Sequence, residues 1–217
     1  MSLPELYSEA KTWQQGIGAL MGFVGLMTAA LWNFKLNRRR DAALREEEFK
    51  SVAAALYGEI RLLRAWAAEV GQSVARVHIA QGFNGRYAVK FDRHFVEANK
   101  MPEATLYKAL APKFGLLPSD LLISITSFYG HVFAVALWLP QIVDDSTRGY
   151  SYGPLVVLHP ARNAVIEIVP ALRIIEGIIG VPAGQTIEPL DLGKVEGVID
   201  FEEERQKSIA EEDGSGS

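Results

Sequence analysis

The sequence predicts an all-α protein in which one N-terminal transmembrane helix continues into a long helix of a cytoplasmic helical bundle. Three observations predict this fold: an uncharged apolar run near the start, a seven-residue apolar repeat after it, and further helical patterns bounded by proline and glycine. We expect a short periplasmic tail (1–11), a transmembrane helix (12–34), a cytoplasmic helical domain (35–185) and an acidic, largely disordered tail (186–217).

The apolar run has the length of a membrane span. No residue between Lys11 and Lys35 is charged, which leaves 23 consecutive positions, and a helix needs roughly 20 to cross a hydrocarbon layer ~30 Å thick. Trp13 lies near one end, and Trp32 and Phe34 lie near the other, where aromatic rings favour the membrane interface. The lipid bilayer is therefore a predicted partner.

The charges on either side of the run predict its orientation. A cleavable signal peptide has basic residues before its apolar run, but here they follow it. Basic residues remain on the cytoplasmic side, so we expect the N-terminus outside and the C-terminal domain in the cytoplasm, at a bacterial inner membrane. Each base near the surface also attracts anionic headgroups by about 1 kcal/mol. This basic cluster consists of Lys35, Arg38, Arg39, Arg40 and Arg45.

Small residues recur along the predicted span. Gly18, Gly22, Gly25 and Ala29 follow one another at helical spacing, so they lie on one face of the helix. Small residues let helix backbones approach closely in lipid, where apolar burial does not drive association. They predict a packing face for another membrane protein or a second copy, with simple tolerance of glycine as the alternative.

A long helix is predicted after the basic cluster. Residues 41–77 contain no proline, and their apolar positions repeat by seven, as in a coiled coil or a long bundle helix. Glu59 and Ser73 interrupt the neighbouring apolar row, which favours a bundle over a zipper paired with itself. The predicted helix seam consists of Phe49, Leu56, Leu63, Val70 and Val77.

The next segment, 76–91, contains Asn84-Gly85, a common hairpin signal. A helix end followed by a loop is favoured, since a lone two-stranded hairpin is marginally stable. Pro102 and Pro112 then bound a short predicted helix.

Residues 121–143 form a second run without Asp, Glu, Lys or Arg. Its length permits a second span, but one half is rich in hydroxyl groups and its flanks, Asp120 and Asp144, are acidic. We interpret it as the central buried helix of the cytoplasmic domain, with a second span as the alternative.

The last apolar helical pattern steps by three and four from Leu158 to Ile179. Pro170 is expected to kink this helix, and Gly180 is expected to end it. From Glu188 onward there are ten acids against three bases, a composition typical of disordered segments.

Four short motifs give the chain a resemblance to uncharacterised single-pass inner-membrane proteins of proteobacteria, some of them phage-associated. The similarity covers roughly residues 12–140. It implies a membrane-anchored helical cytoplasmic domain and no assigned activity, and its tyrosines, glycine and prolines suit packing and capping as well as a binding site. The motifs are Leu56-Tyr57-Gly58-Glu59-Ile60-Arg61, Leu106-Tyr107, Phe114-Gly115-Leu116-Leu117-Pro118 and Ile125-Thr-Ser-Phe128-Tyr129.

Evidence for catalysis in the sequence is weak. The absence of cysteine excludes thiolate metal sites and cysteine nucleophiles, and none of the four histidines has the spacing of a metal pair. The best polar candidate is the group Ser127, Tyr129 and His131, although a lone histidine on an apolar helix is more often a packing residue. We therefore predict no catalytic residues, no metal, no cofactor and no enzyme. The net charge of −4 argues against a nucleic-acid partner.

These observations predict a membrane-anchored interaction or scaffold protein. It would act as an accessory subunit of a larger inner-membrane complex or as a homo-oligomer. The alternative is a membrane-acting effector or sensor whose cytoplasmic domain controls oligomerisation of the span. A membrane-anchored hydrolase has the least support.

Overall fold

The protein is all-helical, as predicted: the regular elements of the described residues are helices, and these residues contain no strand. It divides into two compact units, Met1–Glu48 and Phe49–Ser217, and each is described by itself. The computed structural model describes residues 3–84, 90–143, 153–181 and 187–215.

Seven α-helices account for most of the described residues. Short 3₁₀ helices, Ala111–Leu116 and Leu139–Ile142, follow the third and fourth of them. The α-helices are α1 (Leu3–Asn84), α2 (Arg93–Ala98), α3 (Thr105–Leu110), α4 (Ser119–Trp138), α5 (Leu155–Ile166), α6 (Val169–Ile179) and α7 (Gly193–Ser215).

The first unit consists of α1 up to Glu48. Its apolar stretch near the N-terminus is long and apolar enough to cross a membrane, and none of that stretch is buried. Large apolar side chains are exposed along it, including Leu26 at 74% and Trp32 at 67%. Burial of such side chains requires lipid or another chain.

The second unit has its core around the part of α1 that begins at Phe49. Leu56, Leu63 and Val70 of the helix seam are at most 1% exposed, Val77 is 9% exposed, and Phe49 packs partly buried against the core. The seam is therefore covered within this unit, as the bundle interpretation requires. α4 and α7 both pack against α5.

One glycine of the core marks a close approach of helices. A Cβ on Gly71 would lie 3.2 Å from Val195 Cγ2 and 3.3 Å from Ala161 Cβ. A side chain at this position of α1 would therefore push against both α5 and α7, because packed interiors leave little free space.

The helix α4 is buried along one face and exposed along the other. Six of its side chains are buried, including Phe128 and Tyr129, but Ile123 and Leu137 on the outer face are 67% and 64% exposed. By length and composition, Ser119–Ile142 and also Leu155–Ile179 would suffice to cross a membrane. The sequence analysis did not single out the second of these.

Two expectations need correction. Pro170 does not kink one long helix; α5 ends at Ile166 and α6 begins at Val169, with the proline in its first turn, where its missing N–H has no partner to lose.

Gly180 ends α6 with a φ of 72°, as predicted. The loop expected after Asn84 lies outside the described residues at 85–89.

The second correction concerns the acidic tail, which was expected to be largely disordered. The structure places α7 there, and four of its side chains at helical spacing are buried. This stripe packs against the bundle, although the acidic composition predicts disorder. The buried residues are Val195, Val198, Ile199 and Glu202.

Candidate functional site

A buried carboxylate joins three helices of the second unit. Glu59 of α1 is 7% exposed, and its two oxygens accept the backbone N–H groups of Leu106 at 2.7 Å and Tyr107 at 2.8 Å. These groups lie in the first turn of α3, whose N–H groups have no partner within the helix, and the N-cap residue Ala104 supplies no side-chain bond. Glu59 therefore caps α3 from another helix, with its negative charge at the positive end of the helix dipole.

The same carboxylate holds α4. Tyr129 donates its hydroxyl to Glu59 Oε2 at 2.6 Å, and its side chain is fully buried. Burial raises the pKa of the Tyr129 hydroxyl, and the bond to Glu59 raises it further, so this group remains a hydrogen-bond donor. Glu59 thus accepts three bonds, which compensates for removing its charge from water.

Aromatic rings surround this carboxylate. The Tyr107 ring stacks on the Tyr129 ring with centroids 3.8 Å apart, and Phe114 lies 5.2 Å from Tyr107. Phe128 meets Tyr129 edge to face at 5.2 Å, a favourable arrangement of ring quadrupoles. We call these four residues, together with Glu59, the Glu59 cluster. Several motif residues that carried the resemblance meet here, in packing and capping roles.

Two further buried polar side chains of α1 bind the ends of other helices. Arg64 donates from Nε to the carbonyl of Val165 at 2.9 Å, near the C-terminus of α5, and Trp66 donates to the carbonyl of Asn99 at 3.1 Å, at the end of α2. A cation at a helix C-terminus and an anion at a helix N-terminus both match the helix dipole. The middle of α1 therefore sets the positions of α2, α3 and α5.

A separate buried pair connects α1 to α6. Tyr57 donates its hydroxyl to Glu176 Oε1 at 2.8 Å, and Arg173 Nη1 lies 3.3 Å from the other oxygen of Glu176. Burial raises the pKa of Tyr57, and the bond to Glu176 adds to the effect. Tyr57 therefore also acts as a fixed donor.

The structure divides the polar group Ser127, Tyr129 and His131. Tyr129 points into the Glu59 cluster, but His131 Nε2 lies 3.0 Å from Glu167 Oε2 and 3.5 Å from Ser127 Oγ. A serine–histidine–acid triad needs the hydroxyl and the carboxylate on opposite ring nitrogens. Here both face Nε2, so this geometry does not activate the serine.

Two other histidines also face glutamates. His78 of α1 lies 3.0 Å from Glu202, and His159 of α5 lies 3.6 Å from Glu203, so both connect to α7. The sequence analysis missed these pairs because their partners are distant along the chain. Among the residues that the structure describes, no three His, Cys, Asp or Glu side chains form a group suited to a metal ion.

The predicted packing face of the span is uncovered in the first unit. A Cβ on Gly18, Gly22 or Gly25 would meet nothing within 4 Å, and Gly25 and Ala29 line a shallow groove with Trp32. Thr28 donates its hydroxyl to the carbonyl of Val24 at 2.8 Å, which satisfies this polar group within the helix, as lipid requires.

The basic cluster at the end of the run is exposed. Lys35, Arg38, Arg39, Arg40 and Arg45 all reach solvent, and the Arg38 guanidinium lies 4.5 Å from the centroid of the Phe34 ring. This contact is within the range of a cation–π interaction.

The fold and these sites define an all-helical protein with candidate membrane spans and a buried carboxylate that caps the helix α3. No family model, curated protein or solved structure matches the chain. The resemblance to proteobacterial inner-membrane proteins therefore stays a prediction.

Proposed function

We propose that the protein is a membrane-anchored interaction or scaffold protein of a bacterial inner membrane, with its N-terminus outside and its helical bundle in the cytoplasm. The observation that carries the proposal is the first unit. It is an exposed apolar helix of span length, it has an uncovered groove of small residues, and it is followed by an exposed basic cluster.

The second unit suits a docking platform. Its buried carboxylates and guanidinium groups bond to helix ends and tyrosines within the bundle, which fixes the helices against one another. Beyond Asp120 in its first turn, the outer face of α4 has no Asp, Glu, Lys or Arg. It carries exposed Ile123, Phe133 and Leu137, as partner-binding surfaces often do. α4 remains with the bundle in this proposal because its inner face bonds to the Glu59 carboxylate.

Replacing Gly18 and Gly22 together with leucine should weaken the association of the span about tenfold. The added side chains keep helix backbones apart, and close backbone approach is the main source of attraction between helices in lipid. The measurement is sedimentation of the full chain in mild detergent, together with the recovery of co-purifying membrane proteins.

A matched control introduces two leucines on another face of the same helix. Ala19 and Ala30 lie on a different face of the helix, about 100° away, so replacing both with leucine should leave the size of the complex unchanged. If the Gly18→Leu, Gly22→Leu variant keeps its size and its partners, the packing face of small residues is not the interface.

A further inference from the structure

The second unit contains a cavity of about 360 Å³ beside α1. Two successive turns of α1 supply Tyr57, Arg61 and Arg64 to its wall, and Leu62 and Leu190 supply apolar surface. A volume of this size suits a small molecule.

Arg64 brings a buried positive charge to this wall without a carboxylate partner. It is 7% exposed, and its bonds run to two backbone carbonyls, of Val165 at 2.9 Å and of Glu188 at 3.0 Å. These bonds use two of the five guanidinium N–H groups. None of the ion pairs found among the described residues includes Arg64.

Arg61 adds a second positive charge one turn away. It is exposed, and its guanidinium carbon lies 5.6 Å from the centroid of the Tyr57 ring. Burial lowers the pKa of the Arg64 guanidinium, and repulsion by the positive charge of Arg61 lowers it further. Burying a charge without an ionic partner is costly. An anion in this cavity would offset this cost and reduce the repulsion between Arg61 and Arg64.

The acids around the cavity do not neutralise this charge. Glu176 is engaged by Tyr57 and Arg173. Glu188 lines the cavity, but its side chain is exposed to solvent and its recorded contact with Arg64 is made by the backbone carbonyl. The cavity wall therefore has an excess of positive charge.

We propose that this cavity binds a small, soluble oxyanion that carries a phosphate or carboxylate group. Guanidinium groups bind such anions through paired, charge-assisted hydrogen bonds, and the apolar wall accommodates the rest of the molecule. This site goes beyond the proposed function, since membrane anchoring and docking do not require it.

The test uses the full chain in phosphatidylcholine nanodiscs, titrated with pyrophosphate at constant ionic strength. We expect saturable binding by calorimetry and a saturable shift of the Arg64 Nε–H signal in nuclear magnetic resonance spectra. Arg61→Gln should weaken binding about tenfold, since it removes one charged partner of the anion. Arg162→Gln, which alters an arginine that pairs with Glu196 at 3.8 Å on another helix, should leave binding unchanged.

Three results would overturn the proposal: no saturable binding, equal losses in the two variants, or an unchanged Arg64 signal. Arg61 is exposed, so its replacement tests the site even if variants of Arg64 fail to fold. In a second arm, phosphatidic acid in the nanodiscs replaces free anion. If phosphatidic acid shifts the Arg64 Nε–H signal and Arg61→Gln abolishes this shift, the site binds a lipid phosphate. That result would contradict the proposal that the anion is soluble.

Discussion

Alanine in place of Glu59 is expected to lower the free energy of unfolding of the bundle by about 4 kcal/mol, since three hydrogen bonds to a charged acceptor are lost together and each contributes roughly 1.5 kcal/mol. The change leaves the N–H groups of Leu106 and Tyr107 and the hydroxyl of Tyr129 without their acceptor. Each of these donors then loses its hydrogen bond in a buried or partly buried site. We expect α3 and the Tyr107–Tyr129 stack to loosen together.

Urea unfolding of the full chain, followed by tryptophan fluorescence, measures this effect. Glu69→Ala is the matched control, because Glu69 is an exposed glutamate of the same helix and its replacement should change stability by less than about 0.5 kcal/mol. Tyr129→Phe removes one of the three bonds and should cost about 1 kcal/mol. Equal stability of the Glu59→Ala and Glu69→Ala variants would refute the capping role.

Aspartate at both Phe23 and Leu26 should release the protein from the membrane. Each aspartate costs about 3 kcal/mol near the centre of a transmembrane helix, so the pair opposes insertion by about 6 kcal/mol. Both positions lie in the exposed apolar part of the first unit, at 60% and 74% exposure. The variant should leave the membrane fraction after an alkaline carbonate wash.

The control for this variant puts aspartate at Leu44 and Phe201, which are 54% and 62% exposed but lie outside the predicted span. It adds the same charge, and we expect it to remain in washed membranes. Retention of the Phe23→Asp, Leu26→Asp variant would mean that another segment, such as α4, holds the protein in the membrane.

The helix seam and most of the helices could be predicted because they depend on local periodicity. The repeat through Leu56, Leu63 and Val70 identifies the buried face of α1 whatever packs against it. The role of Glu59 could not be predicted in full. Its presence in an apolar row was visible as an interruption, but its partners are 47 to 70 residues away along the chain.

The contacts of Arg64 could not be predicted for the same reason, because its carbonyl partners are 101 and 124 residues away along the chain. No spacing rule connects a side chain to a helix end so remote in sequence. The helix α7 was missed for a different reason. The apolar residues Val195, Val198 and Ile199 are few among many acids, so composition predicted disorder where helical spacing would have indicated a packed stripe.

Thiol accessibility tests the proposal that residues 12–34 cross the membrane with the bundle in the cytoplasm. The sequence has no cysteine, so Ser8→Cys and Ser208→Cys each introduce a single thiol, one before the span and one in α7. In cells with a permeabilised outer membrane, a membrane-impermeant maleimide should label Ser8→Cys, and should label Ser208→Cys only after the inner membrane is disrupted. Labelling of Ser208→Cys in such cells before disruption, or protection of Ser8→Cys, would contradict the proposed topology.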